Sequence, residues 1–162
     1  DLGIVAYPTA RAQITVLDFR TDNLAVVCSP EHHLAESNTI GIADINGEKF
    51  VGFEKGIPTR LALDRVFSEN NISVQYVAEL DNIEMVKRLV EVGAGIALIP
   101  EKSCVHELQT GTLVKADLSD RGLTRPIGII HRTGKHFSPA AEKFIEYMQA
   151  DRPAAGGQAA AR

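Results

Sequence analysis

The chain has no tryptophan, only two cysteines and two methionines, and aromatic residues make up 6% of its 162 positions. Cys28 and Cys104 stand far apart, neither in a Cys-x-x-Cys pair nor beside a histidine. That excludes a disulfide scaffold and a thiolate metal centre, and it points to a reduced, cytoplasmic setting with both thiols packed inside. Positive charge is also in deficit, since 17 Lys+Arg against 21 Asp+Glu give a formal charge of −4. Such a chain carries no electrostatic footprint for nucleic acid or anionic lipid, so any contact with DNA belongs to sequence outside it. No apolar run is long enough to span a membrane. The opening Asp1-Leu2-Gly3-Ile4-Val5-Ala6 has neither an initiator methionine nor signal-peptide character, and it reads as the middle of something longer.

Catalytic and metal signatures are missing as well. The five histidines, His32, His33, His106, His131 and His136, show no i,i+4 pairing and no ligand spacing with a carboxylate, so no metal is expected. His32-His33 follows the turn residues Ser29-Pro30-Glu31 and reads as a solvated loop. There is no Gly-x-Ser-x-Gly elbow and no phosphate-binding Gly-rich loop. Gly93-Ala94-Gly95 lacks the third glycine of a dinucleotide fingerprint and leads into a strand.

What remains is the profile of one globular domain, 44% hydrophobic and 23% charged, with room for two lobes but not for two full domains. Short runs rich in Val, Ile and Leu predict strands at Leu2–Ala6, Ile14–Phe19, Leu24–Cys28, Phe50–Phe53, Val74–Val77, Gly95–Ile99, Leu113–Val114 and Ile127–His131. The cluster Arg20-Thr21-Asp22-Asn23 predicts a turn that makes Ile14–Phe19 and Leu24–Cys28 antiparallel neighbours. Helices are expected from Arg60 to Asn70 with Thr59 as cap, from Asp81 to Gly93 with an apolar stripe Ile83, Val86, Leu89 and Val90, from Pro100 to Gly111, and after Ser138-Pro139 with Ala141, Phe144, Ile145 and Met148 inward. Alternation of the two kinds of element implies an α/β fold with a largely parallel, partly mixed sheet. The composition of residues 150–162 predicts a disordered tail.

One segment carries a chemical argument. Phe53-Glu54-Lys55-Gly56-Ile57-Pro58-Thr59-Arg60 leaves a strand and enters a helix, where free N–H groups meet the positive end of the helix dipole. A small anion or carboxylate fits there, held by N–H groups and the Thr59 hydroxyl with Arg60 adding charge. The alternative is that Thr59 only caps its own helix. At the other helix start, Asp81 would repel an anion.

Four segments in order resemble the C-terminal effector-binding domain of LysR-type transcriptional regulators: residues 1–5, 22–35 (Asp22 to Ala35), 53–60 and 90–100 (Val90 to Pro100). The resemblance runs from residue 1 to about 148. It implies a fold like type 2 periplasmic solute-binding proteins, two Rossmann-like α/β lobes with mixed sheets and an effector in the cleft between them, the first lobe here incomplete. Residues 14–95 would form the second lobe, while 1–13 and 96–149 would supply the rest of the first lobe with crossovers at Ala6–Gln13 and Gly95–Ile99. Carried over by position, Gly56, Ile57, Pro58, Thr59 and Arg60 match the cleft-facing loop and Ala6, Tyr7 and Pro8 the crossover at its floor.

The family also associates with itself, as homodimers and as homotetramers at full length. The resemblance places Leu61, Asp64, Arg65 and Ser68 of one helix and Val74, Tyr76 and Ala78 of the following strand on that interface. It implies a small-molecule effector, for which the residues around Thr59 suggest an acid, with no cofactor, no membrane, no catalytic residue, and DNA contact only through an absent N-terminal domain. The runner-up is a solute receptor of the same fold serving a transporter. An enzyme would have to work with Thr59, Arg60, Glu54 and Tyr7, too few groups for a named reaction.

Overall fold

The computed structural model describes residues 2–119 and 123–150. In chain order it contains β1 (Gly3–Ala6), β2 (Ile14–Cys28), β3 (Thr39–Ile40), β4 (Lys49–Phe53), α1 (Pro58–Glu69), β5 (Gln75–Leu80), α2 (Ile83–Glu91), β6 (Ala97–Pro100), α3 (Val105–Thr110), β7 (Val114–Leu118), β8 (Thr124–Arg132) and α4 (Pro139–Ala150). The α/β class and the mixed sheet agree with the sequence. The contacts divide the chain into two units, Asp22–Arg125 and a smaller one made of Asp1–Thr21 with the chain from Pro126 onward.

The larger unit is built on period-two strands. Val26 and Cys28 of β2, Phe50 of β4 and Leu98 of β6 turn to one face and pack with Leu63 and Phe67 of α1. Val27, Val51, Phe53, Ala97 and Ile99 turn to the other and pack with Val86 and Val90 of α2. β4 and β5 are parallel, Lys49 opposite Gln75 and Phe53 opposite Leu80, and α1 is the crossover that such a pairing needs. A parallel bridge from Phe50 to Ile96 carries this pair onto β6, which runs antiparallel to β2. Phe50 anchors the first core with edge-to-face contacts to Phe67 and Tyr76 at 5.6 and 5.5 Å.

In the smaller unit β1 and β8 are antiparallel, from Gly3 opposite Ile130 to Ala6 opposite Ile127. Phe19, Ile127 and Ile129 form its core, with Leu2, Ala6, Leu17 and Met148 against it.

Several expectations from the sequence are corrected. Ile14–Phe19 and Leu24–Cys28 are not a hairpin but one continuous strand of 15 residues. The polar run between them stays extended because β2 pairs with β8 in the sheet, where Asp22, 1% exposed, also meets Arg125 at 2.9 Å. The two compact units meet at 21/22 and 125/126, inside β2 and β8. Thr59 is not a helix cap: Ile57 holds that position, extended, with Pro58 first in the helix. At α2 the cap is Asn82, not Asp81, its side chain accepting the Glu84 N–H at 2.8 Å. Pro100 ends β6 opposite Leu24 and caps a short 3-10 turn, Glu101–Ser103, so that α3 itself begins only at Val105. Phe144 on α4 is 44% exposed, while Ile145 takes the buried position. Of the expected tail, Ala150 ends α4 and the remainder lies outside the described residues.

Candidate functional site

The segment singled out in the sequence leaves β4 at Phe53 and forms an exposed turn, Glu54, Lys55 and Gly56, before α1. Gly56 has φ +95°, a conformation that L side chains rarely adopt, and a Cβ there would meet nothing within 4 Å. The glycine therefore serves the backbone path and leaves open space above it. The turn is pinned at both ends, Glu54 N–H to the Leu80 carbonyl at 3.0 Å and Ile57 N–H to the Glu54 carbonyl at 3.2 Å. No side chain caps α1. Pro58 has no N–H to leave unpaired, and the Thr59 and Arg60 N–H groups have no intrahelical acceptor because of their place in the first turn. These groups, at the positive end of the helix, are what an anion or carboxylate binds.

Arg60 differs from its expected role of reaching toward an anion. Its residue is 4% exposed. Nε donates to Asp64 Oδ1 at 2.8 Å, Nη1 donates to the Phe53 carbonyl at 2.7 Å and lies 3.1 Å from Glu79 Oε2. The guanidinium covers the Tyr76 ring with Cζ 3.8 Å from its centroid. Burial works against the Arg60 charge, but the Asp64 hydrogen bond and the charges around it outweigh that and raise its pKa further. Burial pushes the Tyr76 phenol well up, against the pull of Arg60. Thr59 is buried too, at 3% exposure.

In the smaller unit Ala6, Tyr7 and Pro8 are all half-buried. Tyr7 has φ 49° and donates its N–H to the Pro126 carbonyl at 2.8 Å. A positive φ on an aromatic residue is strained backbone, which structures tend to keep where a site needs it. Pro8 lies against Gly128, where a Cβ would come within 2.7 Å of its ring.

The interface residues expected from the sequence divide. Leu61 is 57% exposed, and Arg65 and Ser68 are exposed beside it, while Asp64 is half-buried at Arg60. On β5 the residues alternate between half-buried and exposed. Val74, just before the strand, and Tyr76 pack on the first core and Ala78 on the second, so the outward residues are Gln75, Val77 and Glu79.

Two clusters had no local signature in the sequence. Glu48 joins the adjacent histidines: His33 Nε2 lies 2.8 Å from Oε1 and His32 Nε2 3.4 Å from Oε2, the imidazoles stacked at 4.5 Å. The three offer donor atoms within 4.8 Å of one another. However, His32 Nδ1 accepts the Leu34 N–H at 3.2 Å, so neutral His32 carries its proton on Nε2 and presents Glu48 with a donor instead of a metal with a lone pair. Elsewhere, Lys87 bonds Glu107 at 2.9 Å, Glu84 at 3.0 Å and the Ser103 carbonyl at 2.9 Å, tying α2 to α3. Cys28 and Cys104 are buried, and burial raises both thiol pKa values, so neither is a thiolate.

The fold is that of an α/β domain of the type 2 periplasmic-binding-protein class. The family model for the LysR substrate binding domain matches residues 1–152, and the chain belongs to that family. It is 31% identical over 148 residues to a RuBisCO operon transcriptional regulator of Allochromatium vinosum, covering 91% of this chain and 49% of the relative. It is 28% identical to the HTH-type transcriptional activator CmpR of Synechocystis, again covering 91% of this chain and 49% of the relative. The chain thus spans about half the length of the curated relatives it matches. Among solved structures, the Synechocystis CcmR regulatory domain in complex with 2-PG superposes with a TM-score of 0.83 at 29% identity, covering 93% of this chain and 72% of that one. The effector binding domain of QuiR in complex with shikimate shares the fold, with a TM-score of 0.82 at 23% identity over 93% of this chain and 70% of that one.

Proposed function

We propose that the chain is the effector-sensing part of a bacterial LysR-type transcriptional regulator, and that the turn from Gly56 to Thr59 supplies N–H donors to a small acidic ligand. The observation that carries this reading is the α1 start, with no side-chain cap and an exposed glycine turn before it, in a chain of this family. The regulatory domain of CcmR, with 2-PG bound, supports a small acid as the ligand class. Ala6, Tyr7 and Pro8 form a separate candidate stretch for ligand contact, supported by the strained backbone at Tyr7.

In this reading the chain performs no catalysis and needs no cofactor. DNA is contacted by sequence beyond it, in the bacterial cytoplasm, and the chain associates with copies of itself through the exposed side of α1. Ligand binding acts by favouring one arrangement of the assembly over another. The relatives are transcriptional regulators, which favours this role over that of a transporter receptor. No described helix is long and apolar enough to cross a membrane.

Thermal unfolding against a panel of small carboxylates and phosphate esters, with 2-PG first, tests the proposal. A ligand that binds only the folded chain raises the midpoint with concentration, by about 2.7 kcal/mol of stabilisation at 100 times Kd. A panel without any concentration-dependent rise contradicts it.

A further inference from the structure

Arg60 is a buried cation in a place where a hydrophobic side chain of similar volume would cost no desolvation. Packing alone therefore does not call for arginine. What arginine adds is a rigid planar fork that serves several partners at once. Here the partners come from three elements: the carbonyl of Phe53, the last residue of β4; Asp64 on α1; and Tyr76 and Glu79 on β5. The Tyr76 hydroxyl donates to the same Asp64 oxygen at 3.1 Å, closing the set. The ring of Tyr76 also lies where a side chain at Gly52 would stand, so this arrangement is built into β4 as well.

The two backbone points that Arg60 joins are the two ends of the ligand turn. Phe53 is where the chain leaves the strand, and Arg60 itself is in the first turn of the helix. Between them Glu54, Lys55 and Gly56 are exposed, and the helix start they lead into has no side-chain cap.

We propose that Arg60 is a positioning residue for the ligand turn: it fixes the end of β4 against the first turn of α1 so that the N–H groups from Gly56 to Arg60 stay convergent, without touching the ligand. The ligand half of this statement rests on the proposed function, whereas the half about the turn does not. A turn held in its binding shape beforehand spends less of the binding free energy on ordering. The two carboxylates and the Phe53 carbonyl take Nε and Nη1, and the residue is 4% exposed, so in this proposal the ligand contacts the backbone donors, with Arg60 behind them.

The test compares the full chain with its Arg60→Lys and Glu79→Gln variants, by amide hydrogen exchange without ligand and by calorimetric titration with 2-PG. Lysine keeps the charge and loses the fork; Glu79→Gln leaves Arg60 its bonds to Phe53 and Asp64. The expected result for Arg60→Lys is exchange at least ten-fold faster at Ile57 and Leu61, whose N–H groups bond the Glu54 and Ile57 carbonyls, unchanged exchange at the core residues Val90 and Ile99, and 2-PG binding at least ten-fold weaker. Glu79→Gln moves the same amides in the same direction by less, and it carries the comparison alone if the lysine variant fails to fold. Exchange that quickens equally in turn and core marks a merely structural arginine and overturns the proposal. Weaker 2-PG binding with unchanged exchange in the turn makes Arg60 a direct ligand and overturns it too. If the parent chain fails to bind 2-PG, that bears on the ligand reading, while the exchange comparison still decides whether Arg60 positions the turn.

Discussion

Asp22 and Arg125, 103 residues apart, pair at 2.9 Å between Oδ2 and Nη2, and they are the first and last residues of the larger unit. The Asp22 residue is 1% exposed and the Arg125 side chain 20%. The pair thus holds together the two points where β2 and β8 enter that unit. Truncating Arg125 to alanine leaves a buried carboxylate short of its cation, a loss of about 3 kcal/mol. The double variant Asp22→Asn with Arg125→Met recovers part of it, because the buried carboxylate charge is then removed together with its arginine. Chemical denaturation of the single and double variants measures both.

Lys87 and Glu107 form a second buried ion pair, their side chains each 7% exposed. The Lys87 hydrogen bond is the main reason that the Glu107 carboxyl titrates below its ordinary range, with burial opposing it. Because the folded value is the lower one, the stability from this pair is present above the unfolded value near 4.5 and is lost as pH falls through the folded value. Lys87→Met removes that benefit and strands Glu107, whose Oε2 already has no hydrogen-bond partner among the described residues. The expected loss is about 3 kcal/mol at neutral pH, measured by urea unfolding, and Glu107→Gln combined with Lys87→Met restores most of it.

His32 gives the opposite sign. Burial, then the neighbouring His33, lowers its pKa from 6.5, with Glu48 opposing them. The unfolded chain binds the proton more readily, so stability falls as pH drops below about 6.5 and levels off below the folded value. Protonation also puts a hydrogen on Nδ1, the atom that accepts the Leu34 N–H. His32→Asn keeps a side-chain oxygen for that N–H and removes the titration. Its unfolding midpoint is expected to lose the His32 part of the pH dependence between 7 and the folded value, measured by a pH series of melts against the parent protein.

Gly56→Ala tests the ligand turn directly. The new methyl group has open space, so any cost comes from the φ of +95° alone. About 1–2 kcal/mol of strain is expected, and a turn that relaxes to avoid it loses its donor geometry. The prediction is a modest drop in thermal midpoint together with a larger loss of affinity for small acids, read from melts and calorimetry on the same samples.

The helices and most strands are legible in the sequence because their signals are local. The stripe of Val86, Leu89 and Val90 ending at Gly93, φ +76°, is one such case. The turn between β4 and α1 was legible for the same reason, from strand, glycine, proline and helix in succession. The failures share a cause. Arg20-Thr21-Asp22-Asn23 has the composition of a turn, and what keeps it extended is pairing with β8, far along the chain. Arg60 looks like a cation offered to a ligand, and what withdraws it is Tyr76 and Glu79 on the next strand. His32, His33 and Glu48 have no motif spacing, yet the short turn at residues 33–36 and the start of β4 bring them together. On β5 the strand was legible, whereas the packing of Tyr76 against Phe50 and Arg60 joins residues far apart in sequence.

The most direct test of the ligand account is a titration of the isotope-labelled protein with 2-PG and shikimate, followed through the backbone amide resonances. The account predicts a small acid that produces saturable shifts largest at Gly56, Ile57 and Thr59. Saturable binding that leaves those three amides unmoved would contradict it, as would the absence of saturable shifts with either acid.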